Sequence, residues 1–418
     1  MTDTGSEGPY YDALETRDPE QREAALMETL PRQIAHAKER APYFAKMLAD
    51  IEPAAVTSRE ALAALPVTRK SRLSELQRLA PPFGGLAATA AGDLARIFMS
   101  PGPIYDPEGR GRDRWRMARA LFAAGFRSGD IVLNCFSYHL TPAGAMMETG
   151  AHALGCAVIP GGTGQTEQQV RAIADLHPSG YVGTPSFLRT LLEKGRELAA
   201  DLTSLKRGLV SGEAFPPSLQ NDIAGRGIAA MQAYGTADVG LIAYETEARE
   251  GLVIDEGIIL ELVRPGTGDV VSEGEVGEVV VTTLNRDYPL LRFATGDLSA
   301  MLPGMSACGR TNQRIAGWMG RADQSVKVKG MFVHPEQVAE AVKRHSEIGR
   351  ARLVISHDGQ SDVMTLKAEV PAGTDQRLAA HLANSLAAVT KLRGFVELVP
   401  AGSLPKDGKV IEDVRNYE

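Results

Sequence analysis

The 418-residue chain has few cysteines, no long apolar run and no signal-like beginning. Its cysteines, Cys135, Cys156 and Cys308, form neither a CxxC pair nor a zinc-binding spacing, and their odd number favours reduced thiols in a cytoplasmic protein. Because no stretch of about 18 apolar residues occurs, we expect no membrane-spanning helix. The N-terminal stretch MTDTGSEGPYYDALE is polar and acidic, which is unlike a secretory signal peptide.

The chain also lacks an excess of basic residues. Lys and Arg number 45 against 52 Asp and Glu, which gives a formal net charge of −7. This balance gives no electrostatic reason to expect nucleic acid or an anionic membrane as a partner. Hydrophobic residues make up 44% of the sequence and charged residues 23%, as in ordinary globular proteins, and the length predicts two or three domains.

Helix-like and strand-like segments alternate through the first half of the chain. Helical patterns at 143–154, 165–176 and 185–198 are followed by short apolar strands at 156–159, 180–183 and 207–210. This alternation predicts an α/β fold with doubly wound sheets, which bind ligands at the carboxyl ends of their strands. Nearer the N-terminus, residues 19–50 are predicted to form two short helices broken at Pro31.

Two changes of pattern divide the rest of the chain. From about residue 250 the sequence is rich in strand formers separated by turn residues, which predicts a small β-subdomain over about 250–319. After Gly320 the pattern becomes α+β over roughly 100 residues, the size of a separate domain. We therefore predict a large N-terminal domain, 1–319, and a small mobile C-terminal domain, 320–418.

Eight motifs follow one another along the chain: LGCAVIPGG, TPSFL, SGEAF, YGTAD, RFATGDL, CGRTNQRI, GRADQSVKVKG and LPKDGK. In this order they resemble the phenylacetate–CoA ligase branch of the adenylate-forming superfamily, from about residue 110 to the C-terminus. The resemblance implies an AMP-forming acid–thiol ligase of aromatic acid catabolism, which activates an aryl or arylacetic acid such as phenylacetate. It also implies ATP, Mg²⁺ and coenzyme A as cofactors, and a homodimer.

By this resemblance, several motifs together bind the nucleotide. Asp238 takes an acidic place associated with Mg²⁺, a hard cation that prefers oxygen ligands. Asp297 accepts hydrogen bonds from both ribose hydroxyls, and Arg321 also reaches the ribose. Arg310 is assigned to the nucleotide as well, whereas Ala237 stands where the family has a hydroxyl. The residues assigned to the adenine end are Gly212, Glu213, Ala214, Tyr234 and Gly235. Thr236 either supplies a displaced hydroxyl for the α-phosphate or points away from it.

The C-terminal motifs are assigned to domain movement, coenzyme A and catalysis. Asp323 matches the hinge about which the small domain turns, and Lys327, Lys329 and Gly330 match the segment that then lines the CoA tunnel. Lys409 matches the catalytic lysine. Its ammonium is charged at pH 7 and suits the negative charge that develops when a carboxylate attacks the α-phosphate of ATP.

The segment 99–109 departs from the family pattern, which has a Ser/Thr/Gly-rich loop around the β- and γ-phosphates. Each proline in it removes an N–H donor, and Asp106 and Glu108 add negative charge. A second departure concerns zinc: only Cys308 remains of a cysteine pair found in some members, so we expect no structural zinc. The remaining candidates for phosphate contacts are Ser100, Gly102 and Tyr105.

The residues leave the acid and its acceptor open. Phe136, Tyr138, Gly161 and Phe187 lie on loops that line the acyl pocket in relatives, where aromatic side chains suit an aryl acid. Each of them fits a core position equally well. One alternative is an adenylating enzyme with another acceptor, such as a carrier protein, an amine or a coenzyme that becomes adenylated. Another is an inactive binding protein on the synthetase fold, given the altered phosphate segment.

Overall fold

The computed structural model describes residues 8–100, 102–322, 325–328, 331–357 and 362–415. The chain divides into two compact units that interleave in sequence. The first comprises Met1–Leu260, Val281–Phe293 and Leu302–Trp318, and the second comprises Glu261–Val280, Ala294–Met301 and Met319–Glu418. The division into a large domain, 1–319, and a mobile domain, 320–418, stays a prediction.

The helices of the first unit are mostly short and join successive strands. They are α1 (Pro19–Arg40), α2 (Pro42–Met47), α3 (Arg59–Ala63), α4 (Leu73–Leu79), α5 (Met117–Ala123), α6 (Ala143–Leu154), α7 (Thr166–Leu176), α8 (Pro185–Glu197) and α9 (Pro217–Gly225). Within the described ranges, no helix is both long and apolar enough to cross a membrane.

The strands as far as Ile315 form three sheets. They are β1 (Thr68–Arg69), β2 (Arg96–Ser100), β3 (Ile104–Glu108), β4 (Ile131–Asn134), β5 (Ala157–Ile159), β6 (Gly180–Gly183), β7 (Arg207–Val210), β8 (Ala229–Thr236), β9 (Gly240–Glu245), β10 (Leu252–Ile254), β11 (Ile258–Val263), β12 (Gly277–Thr283), β13 (Phe293–Ser299), β14 (Met301–Leu302) and β15 (Arg314–Ile315). The sheet orders are β14-β15-β10-β9-β8-β7-β6-β4-β5, β1-β13-β12-β11 and the hairpin β2-β3.

The large sheet is parallel from β5 to β8 and antiparallel from β8 to β15. Successive residues of its central strands point to opposite faces, so Val132 and Leu209 enter one apolar core while Leu133 and Val210 enter another. Residues of α5 and α6 fill the first core, and residues of α7 and α8 fill the second. Helices therefore cover both faces, which confirms the predicted doubly wound α/β class.

The predicted break at Pro31 is wrong, because α1 runs through it without interruption. Leu26, Leu30, Ile34 and Ala37 lie on its buried face, at the spacing of an amphipathic helix. Their burial offsets the roughly 3 kcal/mol that an interior proline costs a helix.

A buried ionic cluster fixes the chain near its N-terminus to the large sheet. Glu15 is 1% exposed, and its carboxylate accepts hydrogen bonds from Arg119 Nη1 at 3.1 Å and Arg310 Nε at 3.0 Å. The Tyr244 hydroxyl donates to the same carboxylate at 3.1 Å. A buried charge is tolerated only when it is paired and hydrogen-bonded, and this cluster meets both conditions.

The second unit has its own α+β core after Met319. Its elements are β16 (Val326–Val328), β17 (Met331–Val333), α10 (Pro335–Lys343), β18 (Ala351–His357), β19 (Asp362–Val370), α11 (Arg377–Thr390), β20 (Phe395–Pro400) and β21 (Ile411–Asp413). Strands β18 and β19 are the antiparallel centre of a sheet in the order β20-β19-β18-β21. Val338, Leu353, Leu366 and Leu386 pack together as the core, so the α+β pattern predicted after Gly320 is confirmed.

Candidate active site

The loop after β7 is open and depends on a glycine. Gly212 has φ +82°, a left-handed conformation that residues with a Cβ rarely adopt. Glu213 and Ala214 are exposed, while Phe215 is buried and anchors the loop to the core. The three residues predicted to line the adenine pocket therefore lie on a solvent-facing loop at the carboxyl end of a parallel strand, where α/β sheets bind ligands.

Tyr234, Gly235 and Thr236 form the end of β8. Tyr234 is 8% exposed. A Cβ on Gly235 would lie 2.6 Å from the carbonyl oxygen of Gly240, so only glycine fits this close approach of two strands. Thr236 Oγ1 accepts the N–H of Val239 at 3.2 Å, which leaves its hydroxyl proton able to donate to a ligand.

Asp238 ends this segment as a buried carboxylate paired with a lysine that the sequence did not single out. Its side chain is inaccessible to solvent, and its Oδ2 lies 2.5 Å from Nζ of Lys70. Lys70 follows β1 and is 168 positions away in sequence. The ammonium compensates a charge that would otherwise be costly to bury.

A second buried acid, Asp106 of β3, lies against this pair. Burial first, and the neighbouring Asp238 second, raise the pKa of Asp106 well above its usual value, while Ser100 and Lys70 act in the opposite direction. Burial therefore favours the protonated, neutral form of Asp106, and the ammonium of Lys70 compensates the carboxylate of Asp238.

The altered phosphate segment lies in the hairpin β2–β3. Several polar groups of this hairpin are already paired with other groups of the protein. Glu108 pairs with Arg96 at 2.9 Å, so the charge of this acid is compensated within the hairpin. Gln77 accepts the Tyr105 N–H and donates to the Tyr105 carbonyl, each at 2.8 Å. The Ser100 hydroxyl donates to the Ile104 carbonyl at 3.4 Å. Pro101 lies outside the described residues.

Phe136 and Tyr138, both predicted for the acyl pocket, have different surroundings. A Cβ on Gly212 would lie 3.8 Å from Cε1 of Phe136, so this aromatic ring lies beside the loop after β7. Tyr138 instead donates to Glu148 at 2.8 Å and accepts from Asn134 at 2.7 Å. Burial, followed by the contact with Glu148, raises the pKa of Tyr138, so its phenol is committed to the fold.

The glycine-rich turn after β5 is held by Gln169, another residue that the sequence did not single out. Its Nε2 donates to the carbonyls of Gly161, Gly162 and Gly164 at 3.3, 3.0 and 2.7 Å. Its Oε1 accepts the thiol of Cys135 at 2.9 Å. Gly161 therefore belongs to a braced turn, while Phe187 is half-buried against the core of α7 and α8.

In the second unit, Asp297 and Arg321, the two residues predicted to reach the ribose, lie side by side. Arg321 Nη1 lies 3.0 Å from Asp297 Oδ1, and their backbones form an isolated bridge. Gly296 has φ +79°, and its carbonyl accepts the Ala322 N–H at 2.7 Å. The turn and the following segment thus fix a carboxylate and a guanidinium side by side.

Lys409 lies on an exposed loop, residues 404–410, called here the Lys409 loop. Asp407 accepts the Lys409 N–H at 3.1 Å and also forms an ion pair with Arg352 of β18. Arg352 pairs with Glu412 at 3.2 Å as well. Gly408 has φ +73°, and a Cβ there would lie 2.9 Å from Val276. The backbone of the loop is therefore held, while Lys409 itself is exposed.

Five other predicted residues are not accounted for in this way. Arg310 is 1% exposed and its partner is Glu15, so its observed contacts are structural. The backbone of Lys327 lies in β16. Asp323 and Gly330, like Lys329, lie outside the described residues.

The donor set fits a nucleotide-bound Mg²⁺ better than a protein-held metal. Among the described residues, no group of three or more His, Cys, Asp or Glu side chains is placed to hold a metal ion. Asp238 Oδ1 is buried and accepts no hydrogen bond from an N–H or an alcohol in the same ranges. A single carboxylate oxygen suits a Mg²⁺ ion whose other ligands are mostly phosphates.

Lys70, Asp106 and Gln169 were missed for a common reason. Lys70 and Asp106 act through a carboxylate distant in sequence, and Gln169 acts through backbone carbonyls that no side-chain pattern marks. Nothing in the local sequence separates Lys70 from the neighbouring Arg69 and Arg72. The sequence contained one indication, the two acids Asp106 and Glu108 in the segment 99–109. It indicated negative charge there but not the groups that compensate this charge.

Comparison with known proteins assigns these features to one group of enzymes. The family pattern of the AMP-binding enzymes matches residues 114–285. The chain is 32% identical over 379 residues to a phenylacetate–coenzyme A ligase of Thermus thermophilus, covering 86% of this chain and 84% of that protein. It is 29% identical over 434 residues to the enzyme of the same name from Escherichia coli, covering 97% and 98%.

A solved structure extends the comparison to three dimensions. An open conformation of 2-hydroxyisobutyryl-CoA ligase, in complex with its acyl-AMP and CoA, superposes with a TM-score of 0.73 at 25% identity, covering 96% of this chain and 93% of that one. The α/β architecture described above is therefore shared with an acid–CoA ligase.

Proposed function

The chain belongs to the phenylacetate–CoA ligase family of AMP-binding enzymes, and from this membership we propose that it activates an aryl or arylacetic acid. ATP-dependent carboxylate–CoA ligation through an acyl-adenylate is the activity that its relatives and the CoA-ligase structure support. Acceptors other than coenzyme A are not favoured by these relatives. The choice of acid and the roles of single residues are the proposal.

The observation that supports an aromatic acid is the position of Phe136. Its ring lies beside Gly212, on the loop that the family assigns to adenine. An aromatic wall there favours an aromatic substrate through offset stacking and apolar burial. Phe187 and the turn containing Gly161 are the other proposed contacts of the acyl group.

The first half-reaction joins the acid to AMP. A carboxylate oxygen attacks the α-phosphorus, and the bond to pyrophosphate breaks. Tyr234 stacks on adenine, while Asp297 and Arg321 hold the ribose. Lys409 stabilises the negative charge that develops on the phosphoryl oxygens. Asp238 would hold Mg²⁺, which when bound neutralises phosphate charge.

The second half-reaction transfers the acyl group to sulfur. The CoA thiolate attacks the acyl carbon, and AMP leaves with the electron pair of the broken carbon–oxygen bond. Positioning is the main requirement, because the adenylate is already a good leaving group. We propose that residues 320–418 turn about Asp323 between the two steps, bringing Lys327 and Gly330 to coenzyme A.

The test is pyrophosphate release from ATP–Mg²⁺ across aryl and alkyl carboxylic acids, with and without CoA. We expect release that depends on an aryl acid, and AMP turnover that requires CoA. Faster release with alkyl acids would contradict the aromatic preference. AMP turnover that is indifferent to CoA would contradict the acceptor.

We also propose that the enzyme is a homodimer, as the family resemblance implies. Sedimentation velocity over a range of protein concentrations tests this separately, and a single monomer species at micromolar concentration would contradict it.

A further inference from the structure

A small cavity in the second unit lies at the base of the Lys409 loop. Its volume is about 40 Å³. That is room for about three water molecules or for one small tetrahedral anion. The charged side chains that line it are Arg264, Arg350, Arg352, Lys406, Lys409 and one acid, Glu275.

Three buried guanidinium nitrogens of this lining are without a hydrogen bond. Nε of Arg264, Nη1 of Arg350 and Nε of Arg352 have no hydrogen-bond partner among the described residues, although Glu275 forms a long ion pair with Arg350 Nη1. Arg352 is 5% exposed. Leaving a buried donor unsatisfied costs about 1–3 kcal/mol, and more for charged groups, so three around one cavity indicate a missing acceptor.

The nearby carboxylates do not neutralise the whole lining. Glu275 lies 4.0 Å and Glu369 lies 3.6 Å from nitrogens of Arg350. Asp407 and Glu412 pair with Arg352. All four acids therefore engage only two of the five cations.

The other three cations, Arg264, Lys406 and Lys409, form no side-chain ion pair within the part of the chain that the structure describes. These three positive charges are therefore not balanced by a protein carboxylate within these ranges. An oxyanion satisfies both this charge and the unpaired N–H groups at once.

We propose that this cavity is a binding site for a phosphate-type oxyanion. Arg264 and Arg352 donate through Nε and Arg350 donates through Nη1, while Lys406 and Lys409 supply charge. Free phosphate and the 3′-phosphate of coenzyme A offer the same chemistry. The site is additional to the proposed function, because binding of an anion in this cavity does not require the adenylation reaction.

The test is calorimetric titration of the full chain with inorganic phosphate at low ionic strength. The Arg264→Gln/Lys406→Gln variant should bind phosphate at least tenfold more weakly, since it removes two unpaired cations. The matched control is Arg377→Gln, an 87% exposed arginine of α11, which should bind as the native protein does. Equal binding by the native protein and the double variant, or no binding by either, would overturn the proposal.

Two further arms identify the source of the anion. If the double variant weakens CoA but not dephospho-CoA, the 3′-phosphate is the occupant; if CoA binding is unchanged while phosphate is lost, the occupant is free phosphate. Acid-dependent pyrophosphate release without CoA, measured on the same variants, reports on adenylation separately. A failure of the anion site is thereby distinguished from a failure of the proposed function.

Discussion

Lys70, the partner of the proposed Mg²⁺ ligand Asp238, and Lys409, the proposed catalytic residue, are lysines whose charges the structure uses in opposite ways. The ammonium of Lys70 is 21% exposed and lies 2.5 Å from a carboxylate that no solvent reaches. Lys409 is exposed, and only its backbone is held. The first charge is already committed to stability in the ligand-free protein, whereas the second is available to an incoming anion. The contacts of a lysine, more than its position in a motif, separate these two uses.

Lys409→Ala gives the largest expected effect. Adenylation, measured as pyrophosphate release, should fall about 10²–10³-fold, because the variant loses charge stabilisation that acts only in the transition state. Thiolysis of a supplied acyl-adenylate should persist, and the free energy of unfolding should change by less than about 0.5 kcal/mol. The control is Lys343→Ala, an exposed lysine on α10. Equal loss of both half-reactions would contradict the division of labour.

Lys70→Met should affect stability instead. Removing the ammonium leaves the buried charge of Asp238 uncompensated, so we expect the free energy of unfolding to fall by about 3 kcal/mol in urea titrations. The double variant Lys70→Met/Asp238→Asn should recover most of this loss. If the double variant is no more stable than the single one, the ion pair is not the cause.

Asp407→Ala tests whether the Lys409 loop must be held in place. The side chain is 39% exposed, so the stability cost should stay below about 1 kcal/mol. The turnover number for adenylation should fall about tenfold, because Lys409 is less well positioned, while the KM for ATP and the thiolysis rate stay unchanged. Asp407→Asn keeps an acceptor and should lose less. A change in KM alone would argue against positioning.

Asp106→Asn should have the smallest effect at neutral pH. A protonated carboxyl and an amide are both neutral donors of similar shape, so the free energy of unfolding should change by less than about 1 kcal/mol. Because the pKa of Asp106 is raised, the native protein should lose stability as pH rises through that pKa, and the variant should not. Melting temperatures from pH 5 to 9 measure this, and a loss of several kcal/mol at pH 7 would mean that Asp106 is ionised.

The sequence was sufficient for the regular elements of the fold. The helix predicted at 143–154 has these bounds, and it ends where Gly155 adopts φ +85°. Strands β6 and β7 also begin and end where predicted, because a strand covered on both faces reads as a short apolar run. The prediction at Pro31 was wrong because burial of one helix face outweighed the local preference of proline to end a helix.

The candidate site was predictable only where one short motif carries it. Asp297 was found in its motif, and Arg321 meets it 24 positions later. Lys70 and Asp238 are 168 positions apart, and pattern reasoning has no means to pair two such residues. The raised pKa of Asp106 follows first from burial, which composition and spacing do not reveal. The residue roles themselves stay predictions until the variants above are measured.

The cluster around Glu15 sets an order of events during synthesis. Glu15 and Arg310 are 295 positions apart, and at about 5–20 residues per second the ribosome makes the arginine roughly 15–60 s after the glutamate. During that interval the nascent N-terminal segment lacks a partner that buries it, and proteases or chaperones can reach it. Burial of this segment is therefore a late step in folding. Its protection from proteolytic cleavage would show that the first unit has completed folding.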